Sequence, residues 1–152
     1  MTVEIINYNS RYRRQFREIN LEWLDRYNLT ESHDLEVLDD PQKTVLDPGG
    51  FIFLAVQNGD IVGSAALIPT TEGEFELAKM CVRPEWQGRG VSKLLLNKCI
   101  EQAQQVHARR IILYSNSKLQ RAISLYERSG FKHVPVNDAP FTTADVKMEM
   151  EL

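Results

Sequence analysis

The stretch Val82-Arg83-Pro84-Glu85-Trp86-Gln87-Gly88-Arg89-Gly90-Val91-Ser92 carries the plainest chemistry in the chain. An apolar run ends at Pro84, which has no N–H for a ladder, and two glycines lead straight into a helical pattern. Gly88 and Gly90 let the backbone turn so that successive N–H groups converge. The helix that follows adds unpaired N–H groups and the positive end of its dipole. Together these form an anion cradle. Hydrogen bonds to a charged acceptor contribute about 1.5–3 kcal/mol each. Three or four approach the roughly 8 kcal/mol of micromolar binding, although such terms do not simply add. The same glycines also suit a tight strand-to-helix connection that binds nothing. No Gly-Lys-Ser/Thr follows, so this is not a P-loop, and the spacing is not Gly-x-Gly-x-x-Gly.

Other reactive side chains are poorly placed for chemistry of their own. Cys81 has no motif-placed histidine, and Cys99 falls inside a helical pattern, so both read as small apolar core residues. His33, His107 and His133 are scattered, without metal-ligand spacing, and no metal site is expected. Trp86 beside the cradle suits a lid, an adenine contact or plain packing.

The elements that must position the cradle can be read from periodicity. Val3–Asn7 alternates as a first strand. Ser10 is the expected N-cap of a helix carrying Tyr12, Phe16, Ile19, Leu21, Trp23, Leu24 and Tyr27. Residues 30–50, broken at Asp40-Pro41 and Asp47-Pro48-Gly49-Gly50, read as one or two short helices plus loop. Phe51–Gln57 and Ile61–Pro69 read as strands joined by an Asn58-Gly59-Asp60 hairpin, with Gly63 marking a bulge or close approach. Glu74–Val82 is the third strand of this meander. Over Gly90–His107 the period changes to 3.6, placing Val91, Leu94, Leu95, Lys98, Ile100 and Ala103 on one face. A strand at Arg110–Tyr114, a helix at Ser117–Ser129 closed by Gly130, and strands at Phe131–Val134 and Asp145–Leu152 complete the order. This is a mixed α/β pattern around one sheet.

Composition sets the bounds. The chain has 152 residues, the size of one domain, so residues 1–152 are expected to form a single unit. Charged residues make up 26% and hydrophobic ones 43%, which is globular rather than disordered. A net charge of −3 disfavours nucleic-acid binding through bulk positive charge. No apolar run is long enough to span a membrane, and Met1–Asn7 lacks the form of a secretory signal. A reduced, cytoplasmic protein is expected. The charge is uneven. Eight acids from Glu22 to Asp47 face only Arg26 and Lys43, whereas eleven bases from Lys79 to Lys132 face three acids. This reads either as two solvated faces or as an acidic mouth beside a basic bed for a polyanion.

Three segments carry a family resemblance. Gln87-x-x-Gly90-x-Ser92 resembles the Arg/Gln-x-x-Gly-x-Gly/Ala signature of the GNAT superfamily of N-acetyltransferases, which binds the pyrophosphate of acetyl-CoA. Ala122-Ile123-Ser124-Leu125-Tyr126-Glu127-Arg128-Ser129-Gly130-Phe131 is similar to the family's A-x-x-L-Y-E-x-x-G-F segment. Phe75–Val82 resembles its fourth strand. Ser92 departs from the usual Gly or Ala, and its hydroxyl either crowds a phosphate or donates to it.

The resemblance implies a single GNAT-type domain of α/β (α+β) class. Its mixed, mostly antiparallel sheet is flanked by helices, and strands four and five splay for the cofactor. It implies acetyl-CoA as co-substrate, with the pantetheine arm on the backbone of Met80, Cys81 and Val82 and the pyrophosphate held by Gln87, Gly88, Arg89, Gly90, Val91 and Ser92. Lys93, Lys118 and Arg121 become candidates for the outer phosphate. Tyr126 is implied as the acid that protonates the departing thiolate, a role a phenol can fill, although the same spacing suits a core aromatic. Glu76, eleven residues before Gln87, is implied as the base that deprotonates the acceptor amine, with Glu74 in reserve and an ordinary strand glutamate as the alternative. Asn116 is either a pantetheine contact or a turn residue.

The expected reaction is acetyl transfer to a primary amine of a small molecule or peptide, by direct attack in a ternary complex. The acidic stretch suggests a cationic acceptor such as a polyamine, with Trp23 and Tyr27 near it and one of them in the core. A non-catalytic acyl-CoA sensor and an acyltransferase with a larger donor are the competing readings. Monomer and homodimer both remain open, since the Pro-containing tail Val134–Ala144 can cover the site or a neighbour.

Overall fold

In the computed structural model, which describes residues 2–137 and 139–152, the chain builds a seven-stranded sheet with helices on both faces. Met1 and Asp138, the latter inside the expected tail, lie outside the described residues. The strands are β1 (Glu4–Asn7), β2 (Phe51–Gln57), β3 (Asp60–Pro69), β4 (Glu74–Val82), β5 (Arg110–Ser115), β6 (Lys132–Val134) and β7 (Val146–Glu151). The helices are α1 (Arg13–Arg26), α2 (Ser32–Asp39), α3 (Val91–Gln105) and α4 (Gln120–Arg128). Strand order is β1-β2-β3-β4-β5-β7-β6, and among the described residues β4 with β5 is the one parallel pair. Among the described residues no helix is long and apolar enough to cross a membrane.

Alternation along the strands divides the core in two. On β2, Phe53 and Ala55 pack with Val91, Leu95, Leu96, Cys99 and Ile123 from α3 and α4. Ile52, Leu54 and Val56 point the other way, against Phe16, Ile19, Val37 and Leu38 from α1 and α2. A strand buried on both faces reads as a continuous apolar run, which Phe51–Val56 is. The expected Asn-Gly hairpin forms, with Asn58 and Gly59 both at positive φ (52° and 80°).

Three local expectations change. Asn9, not Ser10, caps the helical entry: its side chain accepts the Arg11 N–H at 3.1 Å, and a 3-10 turn precedes α1. Leu94 is 46% exposed, while Leu96 and Cys99 are fully buried. The buried set Val91, Leu95, Leu96, Cys99 and Ala103 follows the seam against the sheet, which lies one position round from the face the spacing suggested. Helix α4 begins at Gln120 rather than Ser117, because Ser117 is held by Asp145 through its N–H (2.8 Å) and hydroxyl (2.7 Å).

Two irregularities of β4 shape everything that follows. The parallel ladder with β5 covers only Glu74–Leu77 against Arg110–Leu113, after which the strands part. Beyond Leu77 the β5-facing edge of β4 has no strand partner among the described residues. On the other edge the register with β3 jumps from Ser64↔Cys81 to Ala66↔Ala78, leaving Lys79 and Met80 opposite Ala65. Lys79 sits at φ 52°, so this is a bulge. Its effect shows in the packing: Leu77 and Val82, five residues apart, enter the same core. A regular strand would put them on opposite faces.

Candidate functional site

The gap between β4 and β5 opens into a groove of about 480 Å³ on one side and a cavity of about 110 Å³ on the other. Both are lined by Trp23, Met80, Leu119, Ala122 and Tyr126, so the two spaces meet at the Tyr126 ring.

The groove contains the glycine loop. Pro84–Trp86 forms a 3-10 turn, and the Gln87 side chain donates to the Val82 carbonyl at 3.2 Å, fastening the loop to the end of β4. Gly88 and Gly90 take φ values of 77° and 81°, a region that costs an L-residue roughly 1–2 kcal/mol. At Gly90, the N-cap of α3, no side chain caps the helix and no acid occupies its first turn. A side chain on Gly90 would meet nothing within 4 Å, so the helix end faces open space. Lys93, Lys118, Arg121 and Arg128 line the same groove. Backbone donors, a helix dipole and four bases make it fit for a polyphosphate.

Of the residues expected on the cofactor side, Met80, Cys81, Val82, Gln87, Gly88, Gly90, Val91 and Ser92 line this groove. Arg89 instead stacks its guanidinium 4.8 Å over the Trp86 ring, which packs against the core. Asn116 lines the smaller cavity, with both ends of its amide engaged. It donates to the Thr143 carbonyl at 2.6 Å and accepts the Lys118 N–H at 2.9 Å. Lys118 in turn reaches the Tyr27 carbonyl at 3.4 Å, linking the start of α4 to the end of α1. The Trp23 and Tyr27 rings are tilted against each other with centroids 5.1 Å apart; both are half-buried, and Trp23 packs against the core while lining both spaces.

Tyr126 is 6% exposed and packs edge-on to Phe131 at 5.8 Å. Burial, and then the proximity of Cys99 and Cys81, raises its pKa well above that of a free phenol, so it stays protonated. Among the described residues no protein group is hydrogen-bonded to its hydroxyl. Cys81 is buried and hydrogen-bonded to Asn20, and burial pushes its thiol up to about 11, which suits packing rather than attack.

The cavity holds the other titratable groups. Glu76 on β4 is 8% exposed, and burial raises its pKa from 4.5 to about 7 against the opposing pull of Lys79. Among the described residues its carboxylate has neither an ion-pair partner nor a hydrogen bond. Glu74, by contrast, is tied to Arg110 at 3.0 Å and accepts from the Thr70 hydroxyl at 2.7 Å, and it lines neither space. The bulge aims Lys79 at Asp34 of α2, and these two side chains, 5% and 3% exposed, form a buried ion pair. Asp34 also accepts the Glu31 N–H at 2.9 Å, fixing the first turn of α2. Asn20 of α1 donates to the Phe16 carbonyl and to the Ser64 hydroxyl, which itself donates to the Lys79 carbonyl at 2.7 Å and so braces the bulge.

A cap closes the cavity from the tail. Phe141, Thr143 and Ala144 line it, with the Phe141 ring 5.4 Å from the Lys79 ammonium. Glu31 anchors this segment. It accepts the N–H and hydroxyl of Thr142 (2.8 and 3.1 Å) and those of Thr143 (3.0 and 2.5 Å). Partial desolvation raises the Glu31 pKa, but these four bonds outweigh it and hold the carboxyl at about 2. The expected acidic mouth is therefore spent elsewhere. Glu22 pairs with Arg83, Asp25 accepts from Thr30, Asp39 pairs with Arg17, and Asp47 accepts from Gln42. Of the acids from Glu22 to Asp47, Asp34 alone lines the cavity among the described residues. The tail expected to cover the site or a neighbour does border the cavity, through Phe141, Thr143 and Ala144. Asn20, the Asp34–Lys79 pair, the Glu31 anchor of that tail and Arg128 were not singled out from the sequence. A lone lysine in the apolar run Phe75–Val82, and a lone asparagine on the inner face of α1, were the available signals.

Comparison with known proteins places this geometry. The model of the Acetyltransferase (GNAT) family matches residues 13–131. The chain is 31% identical over 128 residues to the uncharacterized N-acetyltransferase YjgM of Escherichia coli, covering 80% of this chain and 74% of that protein. It is 34% identical over 121 residues to N-acetylaspartate synthetase of Xenopus tropicalis, covering 79% of this chain but 43% of that protein. The match spans 63% of the length of the mycobacterial relative Rv2669, with 34% identity over 69% of this chain. Among solved structures, a GNAT-family acetyltransferase of Staphylococcus aureus Mu50 superposes with a TM-score of 0.92 at 25% identity, over 99% of both chains. The PaiA N-acetyltransferase of Thermoplasma acidophilum, solved in complex with coenzyme A, shares the fold (TM-score 0.78, 16% identity, full coverage of both chains). A family model running from α1 to the end of α4, over a fold with a parallel pair that parts beside a glycine loop, assigns the chain: it belongs to the GNAT family of acetyltransferases, whose reaction class is acyl transfer from an acyl-coenzyme A.

Proposed function

We propose that this protein transfers acetyl from acetyl-CoA to a primary amine by direct attack, with the donor in the groove and the acceptor in the cavity. The observation that carries this reading is the junction itself. A buried, protonated tyrosine without a hydrogen-bond partner among the described residues stands between a cradle for a diphosphate and a cavity holding an unpaired carboxylate. The complex of the Thermoplasma relative with coenzyme A supports the choice of donor.

Each residue then has a task. The N–H groups around Gly88, Gly90 and the start of α3 hold the pyrophosphate, with Lys93, Lys118, Arg121 and Arg128 near its outer phosphates. The unpaired edge of β4 from Met80 to Val82 offers backbone donors to the pantetheine arm and the thioester carbonyl. A donor of the latter kind is worth about 2.7–4 kcal/mol. Glu76 takes the proton of the incoming ammonium. In water an amine at about 10.4 and a glutamate near 4.3 differ by roughly 6 units. With Glu76 at about 7 that gap falls to about 3.4. Tyr126 gives its proton to the departing sulfur. Its raised pKa does not oppose this, because a thiolate released into the same dry surroundings is also more basic than in water.

Free-thiol release from acetyl-CoA across a panel of amines tests the reading. Activity that falls in Tyr126→Phe and Glu76→Gln with coenzyme A binding retained supports it. Coenzyme A binding with no amine-dependent thiol release would identify a sensor instead.

A further inference from the structure

We propose that the acceptor is a compact, apolar monoamine, carrying one ammonium group and no carboxylate; this rests on the reading of the cavity as the acceptor site. The charges around the cavity come close to cancelling. Lys79 is the ammonium that a carboxylate-bearing acceptor would need, and it is already committed to Asp34 on one side and the Phe141 ring on the other. Asp34 is the acid that a second ammonium would need, and Lys79 occupies it. Glu31 is consumed by the four bonds of the cap. Glu76 is left as the one lining carboxylate without an ion-pair partner among the described residues, enough for a single positive charge.

The walls and size agree. Trp23, Leu24, Leu29, Leu119 and Phe141 supply much of the wall, and the lining side chains of Asn20, Asn116 and Thr143 are already engaged in hydrogen bonds. About 110 Å³ is somewhat less than the roughly 150 Å³ of an engineered apolar cavity that takes up benzene. A second ammonium or a carboxylate lodged there would lose its hydration with no unpaired opposite charge among the described lining residues to replace it. Discrimination of this kind, where a buried polar group is left unpaired, is much stronger than discrimination by one methylene.

Two parallel measurements on the intact protein test this. One is kcat/KM for thiol release with acetyl-CoA; the other is calorimetric affinity in the presence of saturating coenzyme A. The probes are butylamine and benzylamine, 1,4-diaminobutane and spermidine, and aspartate and alanine. The expected result is at least tenfold higher kcat/KM and tighter binding for the apolar monoamines than for any diamine, polyamine or amino carboxylate. Equal or better performance by 1,4-diaminobutane, spermidine, aspartate or alanine in the binding arm would overturn the proposal, whether or not thiol is released. Apolar monoamines that bind tightest yet release no thiol would uphold the acceptor class and overturn the catalytic reading instead.

Discussion

The groove and the cavity are built by different means. The groove takes its character from backbone: eleven consecutive residues, Val82 to Ser92, supply the loop, both left-handed glycines and the open end of α3. The cavity takes its character from side chains of separate segments, with Asn20 and Trp23 from α1, Asp34 from α2, Glu76 and Lys79 from β4, and Phe141 from the tail. A backbone site needs few particular side chains and can be shared across proteins with different acceptors. A side-chain site is specific to its own chain. On the proposed reading the first takes the donor and the second the acceptor.

Variants should separate the two regions. The largest effect is expected at their junction: Tyr126→Phe should lower kcat by about 10²–10⁴-fold while leaving the coenzyme A Kd within about twofold, as read by thiol release and calorimetry. Glu76→Gln should come next, with activity reduced about 10²-fold and the rise of kcat/KM through pH 7 abolished. The same variant has a predictable stability. Because the folded pKa of about 7 lies above the ordinary glutamate value of 4.5, the native state binds more protons than the unfolded state between those values. Stability from this group is therefore full below about pH 4.5 and is lost as pH rises through 7. Urea titrations should show Glu76→Gln becoming more stable than the parent above pH 7, with a ceiling of roughly 3 kcal/mol.

Gly90→Ala acts on the groove alone. Placing a Cβ at φ 81° costs roughly 1–2 kcal/mol. Coenzyme A affinity should fall about tenfold, with the acceptor KM nearly unchanged. The smallest effect is expected at the cap: Glu31→Ala removes the anchor of Thr142 and Thr143 and should raise the acceptor KM about three- to tenfold without altering coenzyme A affinity. Equal changes in both affinities for either variant would mean that the two regions are not separable.

The same division explains what was legible in the sequence. The strands of the meander, the glycine loop and the helix closed by Gly130 are local patterns, and they appear where periodicity and turn chemistry put them, apart from the later start of α4. Glu76 and Tyr126 are single residues on predicted elements; the fold puts Tyr126 where the two spaces meet and Glu76 on the wall of the smaller one. The bulge at Lys79 was invisible, because nothing in Glu74–Val82 announces a left-handed lysine. That conformation is held from outside, by Ser64 on its carbonyl and Asp34 on its ammonium. The acidic run was legible only in part, for a related reason: Asp34 lines the cavity and Glu31 anchors its edge, while other acids of the run do neither. Summed charge does not tell which carboxylates face a cavity and which meet Arg17, Arg83 or Thr30.

A crystal structure of the protein with coenzyme A bound tests the central claim most directly. The account predicts a diphosphate on the N–H groups of Gly88–Ser92 and a sulfur within about 3.5 Å of the Tyr126 hydroxyl. A diphosphate seated elsewhere, or a thiol pointing away from Tyr126, would contradict it.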